Sequence, residues 1–235
     1  MVLKKRLSAI LFDVDDTLIH LEPAITELFA AACVELGVPL REGDVARSMS
    51  AALAFIRSDG IRYLGDDDAL WNDVLAVMLD ACGRDDPEGK LVQQVWSWVK
   101  PRLHHEVYAD VEPALVALRE RGLTLAAVTG RINSSAGLLK QLGVLEHLDS
   151  YTYAGELGVT KPDPLLYRTA LRRIGADPSE VLLVGDSSLD MLGAQGVGIL
   201  PVLVDRNSHK KECEWFRIEN LGQLLTLVDD PEKLS

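Results

Sequence analysis

The chain has 235 residues, 48% of them hydrophobic and 6% aromatic, enough for a full core in one domain or in a domain carrying an insertion. A net charge of −12 and an isoelectric point of about 4.8 argue against nucleic acid or an anionic membrane as the main partner. The basic cluster Lys4-Lys5-Arg6 is too short to reverse that and reads as a solvated tail.

In chain order, a short apolar run at residues 9–12 has the length of a buried strand and stops abruptly in acid. Asp13, Asp15 and Asp16 crowd behind it, followed by Thr17. Like charges so close raise one another's pKa values, a cost that a bound cation relieves. An acidic surface turn is the plainer explanation of the same residues. Residues 22–36 then read as a helix with Pro23 in its first turn and Gly37 at its end. Residues 44–57 form a second helix, closed by a turn at Ser58, Asp59 and Gly60. Asp66, Asp67 and Asp68 open a third that runs to Cys82. Acids there favour the helix dipole, so they are read as a cap and not as a metal site. A fourth helix follows residues 86–88, with Leu91, Val92, Val95, Trp96 and Val99 at helical spacing, and is stopped or kinked at Pro101.

From residue 107 strands and helices alternate. Helices are expected at 111–121, 134–142, 164–174, from 189 to the glycine-rich turn at Gly196 and Gly198, and at 221–228. Strands are expected at 123–128, 151–153, 181–184 and 199–204. That alternation implies an α/β fold with a doubly wound parallel sheet. The strand at 9–12 belongs to the same sheet, yet the next begins only at Leu123. An inserted helical segment explains the gap: residues 1–18 and 107–235 make the core, and residues 19–106 a helical cap, with hinges near 18–22 and 103–110. No internal repeat or low-complexity tract occurs.

Cys33, Cys82 and Cys213 are odd in number, far apart and match no metal-ligand spacing, so they read as reduced thiols in the cytoplasm. The N-terminal apolar stretch is too short for a signal peptide and lacks a cleavage site, and no run is long enough to span a membrane. Asn133-Ser134-Ser135 matches the glycosylation pattern by chance. Gly193, Gly196 and Gly198 follow a helix and not a strand, which is the wrong context for a dinucleotide fingerprint.

Polar residues collect at the carboxyl ends of the strands: Asp13 and Asp15, then Thr129, then Asp186 with Asp190 just beyond. In a doubly wound sheet these ends share one rim. Lys161, in a loop before a helix, can reach the same rim. Such a set contains what phosphoryl transfer through an aspartyl phosphate requires. One carboxylate attacks, with a metal and an ammonium to offset its charge, and a second carries the proton.

These residues resemble the motifs of haloacid-dehalogenase-superfamily (HAD) phosphatases over nearly the whole chain. The first motif, Asp-x-Asp-x-Thr, corresponds to Asp13, Asp15 and Thr17. The second, a strand ending in Ser or Thr, corresponds to Thr129. The third, a lysine before Pro-Asp-Pro, corresponds to Lys161. The fourth, Gly-Asp-x-x-x-Asp, corresponds to Gly185-Asp186 and Asp190. The resemblance implies Asp13 as nucleophile and Asp15 as general acid/base. It implies Thr129, Gly130 and Lys161 at the phosphoryl group, and Mg²⁺ held by Asp13, the backbone carbonyl of Asp15, and Asp186. Asp190 and Thr17 are supporting residues: Asp190 orients Lys161 or a metal-bound water, and Thr17 fixes the loop around Asp15. Asp16 stands where the family often has glycine. Arg131 stands where many relatives have a small or neutral residue; of its two readings, a substrate contact or a solvated arginine at a helix start, the second is preferred.

The inserted segment resembles the family's type-1 cap, with His20, Arg57 and Arg62 as candidate substrate contacts, each read singly as a surface residue. His104 and His105 fall in the return hinge, and Trp71, Trp96 and Trp98 are read as cap core. The implied substrate is a small-molecule phosphate ester, such as phosphoglycolate, a sugar phosphate or a nucleotide, and the implied assembly is a monomer or homodimer. A 2-haloacid dehalogenase, a phosphomutase of the β-phosphoglucomutase kind and a non-catalytic relative are the alternatives. Asp15 weighs against the dehalogenase, which attacks carbon and needs no proton donor for a leaving oxygen.

Overall fold

A computed structural model describes residues 6–206 and 214–230, so Lys4, Lys5 and Cys213 lie outside the described residues. The chain divides into two compact units. One comprises Met1–His20 with Val107–Ser235, the other Leu21–Glu106. The first division falls after His20 and not after Leu18. Leu18 and Ile19 are fully buried in the core of the first unit, and the Ile19 carbonyl accepts from the Asp16 N–H.

The elements in chain order are β1 (Ala9–Phe12), β2 (Ile19–Leu21), α1 (Ile25–Glu35), α2 (Asp44–Asp59), α3 (Asp67–Ala81), α4 (Lys90–Val99), β3 (His105–Val107) and α5 (Val111–Glu120). There follow β4 (Thr124–Thr129), α6 (Ala136–Gln141), β5 (Ser150–Tyr153), α7 (Ala154–Leu157), α8 (Pro164–Ile174), β6 (Val181–Gly185), α9 (Ser188–Val197), β7 (Leu200–Val204), β8 (Phe216–Ile218) and α10 (Gln223–Asp229). In the helical unit, α2 runs through Ser58 and Asp59 instead of turning there. Gly60 keeps a right-handed helical conformation and starts a 3-10 turn, Gly60–Tyr63. The Asp66 side chain caps α3, accepting from the Ala69 N–H at 2.9 Å. Phe29, Leu75, Met78 and Val95 fill the centre of this unit, with Trp71 stacked on Trp96 and Trp98 packed alongside.

The first unit is built on six strands in the order β5-β4-β1-β6-β7-β8, all parallel. Every residue of β1, β6 and β7 is buried, because helices cover both faces and leave no solvent side for an alternating pattern. Successive side chains of β1 enter opposite layers. Ile10 and Phe12 pack with Leu125 and Leu182, while Leu11 packs with Ala126, Leu183 and Tyr167. The chain winds from β1 out to β4 and β5, then crosses to β6 on the other flank of β1. The end of β1 is therefore the switch point of the sheet, where a crevice opens between diverging connections. The short β2 and β3 pair as a separate two-stranded sheet where the chain passes between the units.

Candidate active site

Asp13 follows the last residue of β1, and its backbone N–H donates to the Val184 carbonyl at 2.8 Å, which ties it to the end of β6. It is 4% exposed. Thr17, fully buried on the loop that follows, donates its hydroxyl to Asp13 Oδ2 at 3.2 Å. The Thr17 side chain thus holds Asp13 directly, and its bond spans the loop that carries Asp15. Asp16 sits between them at φ +56°, a left-handed conformation that Asp tolerates and glycine adopts freely. That accounts for the family's frequent glycine there.

Lys161 reaches the same point from the loop before α8. Asp163 caps that helix, accepting from the Leu165 N–H at 2.8 Å, and Pro164 occupies its first position. The Lys161 ammonium donates to Asp13 Oδ1 and to Asp190 Oδ1. Asp190 is held in the first turn of α9 by Ser187, whose hydroxyl donates to Asp190 Oδ2 and accepts from the Asp190 N–H at 3.3 Å. Gly185 makes this approach possible: a Cβ there would lie 2.7 Å from Asp190 Cβ. Asp13, Asp186 and Asp190 each offer a carboxylate oxygen within 4.8 Å of the others.

Burial pushes the Asp13 pKa well above the usual carboxylate range; Lys161 opposes this, and the charges of Asp190, Asp186 and Asp15 add to it. Burial works against the Lys161 ammonium, but the carboxylates of Asp13 and Asp190 outweigh it and hold its pKa up. The clustered carboxylates of Asp13, Asp186 and Asp190 offer hard oxygen donors, which suit a divalent cation such as Mg²⁺.

Thr129 ends β4 at 1% exposure, and its hydroxyl oxygen accepts from the Arg131 N–H at 3.3 Å. Gly130 lies against the Lys161 stem, where an added Cβ would stand 3.5 Å from Lys161 Cδ. Thr129, Gly130 and Lys161 are thus neighbours, as the motif order implies. Arg131 corrects the sequence reading. It is not a solvated helix-start residue: its Nε and Nη2 donate to the two carboxylate oxygens of Asp15 at 2.8 and 2.5 Å. Those bonds and the Asp15 charge outweigh burial and raise its pKa.

A second arginine, Arg206 just beyond β7, carries no motif. Its Nη1 donates to Asp110 at 2.8 Å and its Nη2 to the Thr17 carbonyl at 2.5 Å. Its guanidinium lies 3.7 Å from the Tyr108 ring centroid, and Tyr108 stacks on His20 at 4.3 Å. Its role was invisible in sequence because no local pattern joins Arg206 to Thr17. Ser187 was findable, since Ser187 and Asp190 have the spacing of a capping box. Among the other candidates, Arg57 bonds to the Leu53 carbonyl of its own helix and Arg62 pairs with Asp59. His104 faces the Arg102 carbonyl and Glu106.

Residues 7–198 match the haloacid dehalogenase-like hydrolase family. A glyceraldehyde 3-phosphate phosphatase of Methanopyrus kandleri is 31% identical over 97% of this chain and 99% of its own length. Among solved structures, a HAD phosphatase from Thermococcus onnurineus is 26% identical with a TM-score of 0.62, covering 94% of this chain and 98% of its own. An L-2-haloacid dehalogenase of Xanthobacter autotrophicus, at 21% identity, shares the fold with a TM-score of 0.68 over 95% of this chain and 99% of its own. With its motifs at the ends of β1, β4 and β6, the chain belongs to the haloacid dehalogenase-like hydrolases and is an enzyme of the phosphatase kind.

Proposed function

We propose that this chain is a Mg²⁺-dependent phosphatase that hydrolyses a small phosphorylated metabolite through an aspartyl phosphate on Asp13. The observation that carries this reading is the division of labour between two carboxylates two positions apart. Asp13 is buried against Lys161, whereas Asp15 is 44% exposed and turned to a different cation. A dehalogenase has no use for the second.

In the first step an oxygen of Asp13 bonds to phosphorus as the ester oxygen departs, taking its proton from Asp15. In the second, Asp15 removes a proton from the water that attacks phosphorus, releasing phosphate and restoring Asp13. Thr129, whose oxygen already accepts from a backbone N–H, has its hydroxyl proton to donate to a phosphoryl oxygen. Lys161 and the neighbouring backbone of Gly130 take the others. Asp13, the Asp15 carbonyl and Asp186 would hold the metal. When bound, Mg²⁺ offsets the negative charge of the phosphoryl group and the carboxylates.

Asp190 positions Lys161. The helical unit Leu21–Glu106 serves as the cap of this family, and the assembly is a monomer or homodimer. Buried, unpaired Cys33 and Cys82 support a reducing, cytoplasmic setting.

The test is hydrolysis of an aryl phosphate with and without Mg²⁺. Activity that needs the metal and vanishes in Asp13→Asn is expected. Halide release from a 2-haloacid without any phosphate release would overturn the assignment.

A further inference from the structure

The site is graded in exposure. Asp13, Lys161 and Asp190 form its closed end, with side chains 6%, 9% and 1% exposed. Asp15 and Arg131 form its open end, at 44% and 25%. A phosphoryl group seated between Asp13, Thr129 and Lys161 therefore sends its leaving alcohol outward past Asp15, because Asp15 must meet the ester oxygen. The Arg131 guanidinium lies within hydrogen-bond distance of both Asp15 oxygens, so it stands beside the first atoms of that alcohol.

Its backbone is fixed from two sides. The N–H donates to Thr129 Oγ1 at 3.3 Å, and the carbonyl accepts from the Gly155 N–H at 3.1 Å. Gly155 is packed so closely that an added Cβ would fall 1.7 Å from the Ile132 carbonyl oxygen. A planar guanidinium on a rigid turn is suited to bidentate recognition of a carboxylate or phosphate. It also feels the Asp13 carboxylate, which places its charge near the reacting centre.

We propose that Arg131 is a specificity residue that binds an anionic group, a carboxylate or a second phosphate, borne by the leaving alcohol close to the ester oxygen. The inference rests on the phosphatase reading and names the substrate class of that site. As the substrate anion arrives, the Arg131 guanidinium turns from Asp15 toward it and frees Asp15 to meet the ester oxygen.

The experiment compares matched esters: 2-phosphoglycolate against glycolaldehyde phosphate, and ethylene glycol bisphosphate as the phosphate arm. The wild type is expected to favour an anionic ester over the neutral one by about tenfold or more in kcat/KM, as a charged hydrogen bond supplies. Which anionic ester is favoured tells carboxylate from phosphate. In Arg131→Gln that ratio should fall to about one, mainly through KM for the anionic ester, and Arg131→Lys should restore only part of it. A residue that merely braces Asp15 would lower both esters alike and leave the ratio intact. That result, or a wild type without preference for either anionic ester, would overturn the proposal.

Should Arg131→Gln turn over nothing, the same ratio is read as equilibrium binding in Asp13→Asn with and without Arg131→Gln. Absence of all phosphate-ester hydrolysis by the wild type with Mg²⁺ would instead strike the phosphatase reading itself, and the binding ratio still decides the role of Arg131.

Discussion

The Lys161 ammonium binds Asp13 and is turned to it by Asp190, so the cation that steadies Asp13 is itself aimed by a second carboxylate. All three groups are nearly sealed from solvent. Such an arrangement is strong only while complete, because removing one member leaves an uncompensated buried charge.

Lys161→Met should therefore cost about 3–5 kcal/mol of stability at neutral pH. The sign of its pH dependence follows from the raised pKa of Asp13. Folded Asp13 keeps its proton at pH values where an unfolded aspartate, with a pKa of about 3.9, has lost it. This carboxylate thus subtracts from stability above that value, and more so once Lys161 is gone. The Lys161 pKa is raised above its ordinary 10.5, so its own contribution is complete through the neutral range and is lost only in alkali. Urea unfolding without metal should show the Lys161→Met deficit shrinking as pH falls from neutrality toward about 4. A deficit that does not change over that range would mean that the ion pair is not its source.

Mg²⁺ alone, without substrate, should raise the unfolding temperature of the wild type. Binding to the folded state at about a hundred times the dissociation constant adds about 2.7 kcal/mol. Asp186→Asn removes one of the three clustered carboxylates and should lose most of that shift while remaining folded. An equal response in wild type and variant would remove Asp186 from the metal site.

Arg206 holds the carbonyl of Thr17, and the hydroxyl of the same Thr17 holds Asp13. Arg206→Gln should cost about 1–3 kcal/mol through the acceptors it leaves behind, and should lower kcat more than it raises KM, because the loop that aims Asp13 loosens. Arg206→Lys should recover part of the stability but less of kcat, since a point charge cannot serve Asp110 and the Thr17 carbonyl in one plane. Equal changes in kcat and KM would count against a positioning role.

The sheet was legible because its strands are buried on both faces and so appear as unbroken apolar runs, as at β1, β6 and β7. The site was legible where chemistry and chain termination coincide: Asp13 closes β1, Thr129 closes β4, and Asp186 follows β6. The short β2, β3 and β8 were not, since three residues carry no period. Nor was α7, a single turn without an apolar stripe. Arg131 looked like a solvated helix start because its partner Asp15 lies far back in the chain, and only the parallel pairing of β1 with β4 brings the two together. Arg206 was hidden for the same reason. Burial and distant partners decide what an arginine does, and neither is written locally.

The central claim is that phosphorus is transferred to Asp13. Mixing enzyme, Mg²⁺ and a hydrolysed phosphate ester, then quenching into borohydride, reduces an acyl phosphate to the corresponding alcohol. Peptide mass spectrometry should find homoserine in place of Asp13 and nowhere else, with none formed in Asp13→Asn. Sustained turnover with Asp13 unaltered, or reduction at Asp15 or Asp186 instead, would contradict the account.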